Sequence, residues 1–339
     1  MKRSIVLMVI GAILAAACGG AGGLGGGTAV SVGLVTDVGG LDDKSFNTLA
    51  NKGLEDAKKD LGVSGKVIES KEQANYVPNL TQFAQQTTGL TIAVGFLMTN
   101  STWKVAKQFP NAKFAIVDGA PANDQEKTEN LPNVANLFFS EQEAGYLVGV
   151  IAGEMLKGKV GKAGSGNTAC AMGGIPIPPV DKFIAGYQDA LEKYGAKVLV
   201  GYSQSFTDQQ KGKEIGLQHI SQGCTVLFQV AGGSGLGYIQ AAKEKNVYAI
   251  GVDADQAYVA PETVLTSALK RVDRAVYQTI KAVKENTFKS GDNFFNAAND
   301  GVGFGVLHKD VPAGAKSATE TALADIKSGK IKPRTEVKK

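Results

Sequence analysis

The sequence predicts an α/β protein built as two doubly wound parallel-sheet lobes joined by a hinge. Three observations carry that expectation. Short apolar runs ending in Gly, Asp or Asn, each followed by a longer helix-like stretch, recur along the chain. They fall into two series of four, separated by one long helical pattern. Finally, 339 residues, 43% hydrophobic and 20% charged, are enough for two globular domains rather than one.

The chain opens with an address. Lys2 and Arg3 precede an uncharged, mostly apolar run over 5–17, about the length of a secretory h-region and shorter than a membrane-spanning helix. Residues 1–17 therefore read as a signal peptide. Ala15, Ala16 and Ala17 run into Cys18, a junction that resembles a bacterial lipoprotein processing site, with Leu14 four residues before the cysteine rather than the usual three. Acylation of Cys18 would anchor the chain to a membrane, and 18–29 would form a glycine-rich tether. Ordinary cleavage after the alanines, with Cys18 idle, is the alternative.

The first series of strand-like runs is 30–35, 66–69, 90–94 and 114–117, and the second is 168–172, 197–200, 225–230 and 248–252. Between them, 141–157 carries Ala144, Leu147, Val148, Ile151, Ala152 and Met155 at helical spacing. A last long helix is expected over 267–288, from Leu269, Val272, Ala275, Val276, Ile280 and Val283. These elements divide into an N-terminal lobe (30–138 with 260–290), a C-terminal lobe (139–259 with 291–320) and a basic, fraying tail (321–339). Export permits a disulfide. Cys170 lies in the first strand of the second series and Cys224 immediately precedes the third, neighbours in the usual order, so both a bridge and two packed thiols remain open.

Several function classes are disfavoured. With 36 basic and 32 acidic residues and no long block of either sign, nucleic-acid binding is not expected. His219 and His308 lack zinc-ligand spacing, so no metal is expected. The run 232–237 has neither G-x-G-x-x-G spacing nor a following Lys-Ser or Lys-Thr, and Leu236 stands where a nucleophile elbow needs glycine. No cofactor and no catalytic residue is assigned.

Binding is the better reading. In open parallel sheets ligands collect at the carboxyl ends of strands. Asp37, Asn47, Asp118 and Asp253 lie at or just past such ends, and Lys270 follows soon after Asp253. A carboxylate accepts hydrogen bonds from two adjacent hydroxyls, which suits the diol of a ribose, and a lysine nearby would offset the acidic charge. Phe46, Phe96, Trp103 and Phe206 fall in or near the same segments and could stack on a flat base. The backbone at Gly233 could donate N–H groups. Asp42 or Asp43 could equally serve as a helix cap, and Phe46 and Trp103 as packing.

Several of these segments together resemble the basic membrane protein family, which comprises substrate-binding lipoproteins of ABC importers and includes the purine nucleoside receptor A type. The match runs through 35–47, with Asp-Lys-Ser-Phe-Asn at 43–47, then 114–118 and 173–180. It continues through 205–208, Gly-Val-Asp-Ala-Asp-Gln at 251–256, and 266–270, spanning about 30–311 in order. The resemblance implies a periplasmic-binding-protein type I fold closing on a purine nucleoside such as guanosine, inosine or adenosine. It implies that Asp118, Asp253 and Lys270 hold the ribose, that Asp37 and Asn47 reach the ligand, and that Phe206 stacks on the base. Leu41 stands where relatives often carry an aromatic residue, which leaves Phe96 or one-sided stacking. The partners implied are an ABC permease and, through the lipid anchor, the outer face of the cell membrane, with the chain monomeric. The same fold could bind another small solute or act as a sensor or surface antigen. A nucleoside hydrolase-type enzyme is a remote alternative.

Overall fold

The computed structural model describes residues 30–86, 89–164 and 166–338. The expected signal peptide, the expected lipidation site Cys18 and the expected tether lie outside the described residues. The first lobe is built from β1 (Ser31–Thr36), α1 (Phe46–Leu61), β2 (Ser64–Ile68), α2 (Tyr76–Gln86), β3 (Leu90–Val94), α3 (Thr99–Gln108), β4 (Phe114–Val117) and β5 (Val134–Phe139). The chain then crosses into α4 (Glu141–Lys157), β6 (Thr168–Gly173), α5 (Pro178–Glu192), β7 (Lys197–Tyr202), α6 (Gln209–Ser221), β8 (Val226–Val230), α7 (Gly232–Glu244), β9 (Tyr248–Asp253) and β10 (Val264–Lys270). It returns through α8 (Val272–Lys284) and β11 (Gly291–Phe295), and crosses once more to β12 (Val302–Phe304) and α9 (Ala313–Lys327).

The two six-stranded sheets run β11-β5-β4-β3-β1-β2 and β12-β10-β9-β8-β6-β7. Each contains the doubly wound 2-1-3-4-5 order, in which the connections reverse direction beside the first strand and open a crevice at the strand ends. The first sheet is wholly parallel, and only β12 in the second runs antiparallel. Central strands such as β3, β4 and β8 are buried at every position, as strands covered by helices on both faces must be.

Strand pairing moves two segments from the lobes the sequence suggested. The stretch 264–270, expected in the N-terminal lobe and partly in a helix, is β10, and it pairs with β9 in the second sheet. The stretch 291–295, expected in the C-terminal lobe, is β11 and pairs with β5 in the first sheet. Helical periodicity begins only at Val272, where α8 packs its Val276 and Asp273 backbone closely over Gly53 of α1. Three crossovers, at Ser140, Arg271 and 296–301, thus form the hinge. They are tied together by Ser140 N–H to the Phe295 carbonyl (2.9 Å) and Arg271 N–H to the Gly301 carbonyl (2.9 Å).

The expected fraying tail is also ordered differently. Residues 313–327 are helical, and the segment after them docks on α5. There the Lys338 backbone exchanges hydrogen bonds with the Gln188 amide (2.8 and 3.1 Å) while Arg334 N–H reaches Asp189. Cys170 and Cys224 are joined by a disulfide with 5.9 Å between Cα atoms, beside the β6–β8 pairing.

Candidate ligand-binding site

The carboxyl ends of both sheets face one cavity, which holds about 560 Å³ of empty space counting its opening to solvent. Asp37, Asn47, Phe96, Asp118, Phe206, Asp253 and Lys270 all line it. Gly233 does not: Gly232 takes that place, with φ +53, and Gly233 is set back against the Phe206 carbonyl. Leu41 is not part of the wall, but Phe46 and Phe183 are. Trp103 stands apart on α3, donating Nε1–H to Glu129 at 2.9 Å.

Backbone geometry aims the acids. Asp118, just past β4, and Asp253, the last residue of β9, take the left-handed conformation, with φ +69 and +59. Asp is among the few residues that adopt this region without prohibitive clash, at a cost of about 1–3 kcal/mol. The turn breaks each strand at its tip and leaves both carboxylates buried in the cleft. Asp37 follows β1 and is held by the Gly39 N–H and the Asn47 amide, both 2.8 Å from Oδ1. Gly95 makes room for it: at φ +122, a Cβ there would fall 3.0 Å from Asp37 Oδ2. Asp43 is the cap of α1, accepting from the Ser45, Asn47 and Thr48 N–H groups at 2.7–3.1 Å. Asp42 is exposed.

Lys270 is the electrostatic centre. Its Nζ lies 2.6 Å from Asp118 Oδ2 and 3.0 Å from Glu141 Oε1, and within 5.0–5.7 Å of the Phe46, Phe139 and Phe183 rings. Burial alone would push the ammonium down, but Asp118, Glu141 and Asp253 hold it above the usual lysine range. Burial raises the Asp118 carboxyl, with Lys270 opposing and Glu141 reinforcing the rise. Burial also pushes Asp37 and Asp253 up to about 6, opposed by Asn47 at the first and by Lys270 at the second. Among the described residues, Asp118 Oδ1 and Asn47 Oδ1 have no hydrogen-bond partner although both are buried. Such acceptors are costly unless a donor meets them.

The apolar walls come from Phe46 and Phe96 of the first lobe, and from Ile177, Val180, Phe183 and Phe206 of the second. Phe206 lies against Gly174, where a Cβ would stand 2.3 Å from the ring. Glu141 and Phe183 were not singled out from sequence. Glu141 looks like an ordinary first-turn acid, and Phe183 sits at a core-like helical position. Neither carries a sequence signal that marks it for the cleft. Among the described residues, no cluster of three or more His, Cys, Asp or Glu is placed to hold a metal ion. His219 and His308 are buried in the second lobe, His219 beside the Tyr238 hydroxyl at 2.6 Å.

Two doubly wound lobes on a three-stranded hinge, closing on one cavity, are the architecture of a type I periplasmic binding protein. A solute-binding protein of an ABC transporter system from Aeropyrum pernix superposes with a TM-score of 0.82 at 29% identity, over 91% of this chain and 94% of that one. An uncharacterized lipoprotein of Pyrococcus horikoshii is 35% identical, covering 99% of this chain and 83% of its own length. Basic membrane protein A of Borreliella burgdorferi is 32% identical, over 89% and 86% respectively. The family model described as ABC transporter substrate-binding protein PnrA-like matches residues 30–339. The chain belongs to this Bmp family of substrate-binding proteins. Among the described residues, no helix is long and apolar enough to cross a membrane.

Proposed function

We propose that this chain is the extracytoplasmic solute receptor of an ABC importer, anchored through acylated Cys18, and that its cleft binds a purine nucleoside without turning it over. The observation that carries this reading is the convergence of Asp118, Asp253 and Lys270 in a cavity that phenylalanines from both lobes also line. A ribose diol can donate to the unpartnered Asp118 Oδ1 and to Asp253, and Lys270 can donate to a ribose oxygen. Asn47 Oδ1 and Asp37 face the remaining polar edge. Phe206 on one side and Phe46 or Phe96 on the other supply flat surfaces for a base. Lobe closure removes water, which strengthens each of these hydrogen bonds. The closed, liganded form then differs in surface from the open one, and a permease can read that difference. The relatives named as lipoproteins, and the solved ABC solute-binding protein, support the membrane-anchored receptor role.

Titration calorimetry of the full chain in detergent, after refolding to strip carried-over solute, tests the reading against guanosine, inosine, adenosine, cytidine and ribose. Saturable binding of the purine nucleosides, with cytidine and ribose much weaker, is expected. Binding of ribose as tight as guanosine would overturn the base-stacking half. Silence across the panel would overturn the nucleoside assignment.

A further inference from the structure

Two contacts between the lobes are made by Ser45 and Gln256, neither of which lines the cavity. Ser45, fully buried just before α1, places its Oγ 2.7 Å from Asp253 Oδ2 and 3.1 Å from the Val252 carbonyl oxygen, both in the second lobe. Gln256, also fully buried, donates Nε2–H across the cleft to the Lys44 carbonyl at 3.1 Å. Lys44 is in the left-handed region, with φ +54.

The Gln256 amide is fixed by its own lobe before it meets the other. Its backbone N–H donates to Ser267 Oγ (2.9 Å), and its Oε1 accepts from the Val252 N–H (3.1 Å) and Gln229 Nε2 (2.7 Å). Gln229 Oε1 in turn accepts from the Ala231 N–H at 3.0 Å. Glycines clear both ends of this relay: a Cβ on Gly251 would fall 2.7 Å from Gln256 Oε1, and one on Gly235 would fall 1.8 Å from Gln229 Oε1. Two glycines in the strand-end motifs are thereby accounted for by packing rather than by phosphate binding.

We propose that Ser45 and Gln256 are positioning residues that form an interlobe latch, engaging only when the lobes meet and setting the rate at which the closed cleft releases its solute. The Ser45 hydroxyl also occupies Asp253 Oδ2, turning the other carboxylate oxygen toward the ligand. In the open form both groups are free to bond with water. The latch therefore acts on the closed state, and removing it accelerates opening while leaving solute entry largely unchanged. The effect on nucleoside release rests on the nucleoside reading above, whereas the latch itself does not depend on which solute is bound.

Ser45→Ala leaves the cap of α1 intact, because the Ser45 side chain makes no capping bond to the helix, and removes the donor to Asp253 and Val252. Gln256→Glu, measured at pH 8 where the ionised carboxylate has no donor, keeps the acceptor for Gln229 and Val252 but loses the bond to the Lys44 carbonyl. The thermal midpoint of each variant serves as the folding control. In stopped-flow measurements on the full chain in detergent, each variant should release guanosine about tenfold faster or more, the worth of one buried hydrogen bond, with association within about twofold of the parent. Hydrogen–deuterium exchange without nucleoside, which reads how often the unliganded chain closes and engages the latch, should rise in both 42–48 and 252–257. Unchanged exchange in both segments in both variants would overturn the latch. If the parent chain binds no guanosine, the nucleoside reading fails, and the exchange measurement still decides the latch.

Discussion

Replacing Lys270 with Met removes the cation that faces Asp118, Glu141 and Asp253 while keeping most of the side-chain volume. At about 3 Å and an effective dielectric near 20, each close carboxylate attracts the ammonium by roughly 5 kcal/mol. Desolvation of the buried lysine takes much of that back. Deleting one partner of a buried ion pair nevertheless costs about 3–5 kcal/mol, because the carboxylates are left uncompensated. Lys182, 3.5 Å from Glu141, relieves only one of them. At about 2–4 °C per kcal/mol for a domain of this size, the midpoint should fall by roughly 6–20 °C at pH 8. The sign with pH is fixed. Without the ammonium the Asp118 and Asp253 carboxyls rise further above their unfolded values, so the loss is complete above those raised values. It shrinks as pH falls and the folded state takes up protons first. Adding Asp118→Asn to Lys270→Met should recover part of the loss. Scanning calorimetry at pH 5 and pH 8 reads all of this. A drop of less than about 3 °C at pH 8, or no recovery in the double variant, would refute the charge argument.

Asp253→Asn keeps the shape and tolerates positive φ, but loses a charge-assisted acceptor. Guanosine affinity by calorimetry should fall roughly 10- to 150-fold with little change in melting. Because burial pushes Asp253 up to about 6 and only the ionised carboxylate accepts two hydroxyls, guanosine affinity should weaken about tenfold per unit as pH drops below about 6. A flat profile from pH 5 to 8 would contradict the carboxylate clamp. Gly95→Ala forces a Cβ against Asp37 at a positive φ and should destabilise the first lobe by about 1–3 kcal/mol in a denaturant melt. Removing the Cys170–Cys224 bridge, whose ends are 54 residues apart, should cost about 4 kcal/mol, with guanosine affinity unchanged because both cysteines lie in the core beneath the site.

What was legible in the sequence followed locality. β3, β4 and α4 coincide with their sequence-read bounds because each is a single apolar run or helical stripe bounded by turn residues. The end of β10, 267–270, reads as helix because Leu269 falls at helical spacing from Val272, and only pairing with β9 shows otherwise. β11, Gly-Asp-Asn-Phe-Phe, is half polar and reads as a loop; it becomes a strand because the hinge returns it to the edge of the first sheet beside β5. The site was legible where strand ends announce it, at Asp37, Asp118 and Asp253. It was hidden where burial partners come from distant segments, as with Glu141 and Phe183. Ser45 and Gln256 were visible as motif residues, but their bonds join positions more than 200 residues apart.

The most direct test is a crystal structure of the chain with guanosine. The ribose 2′ and 3′ oxygens should lie about 2.5–3.0 Å from Asp118 Oδ1 and an Asp253 oxygen, with the base flanked by Phe206 and a first-lobe phenylalanine. Guanosine bound in the opposite sense, with its base on the carboxylates, or outside the cleft, would contradict the account.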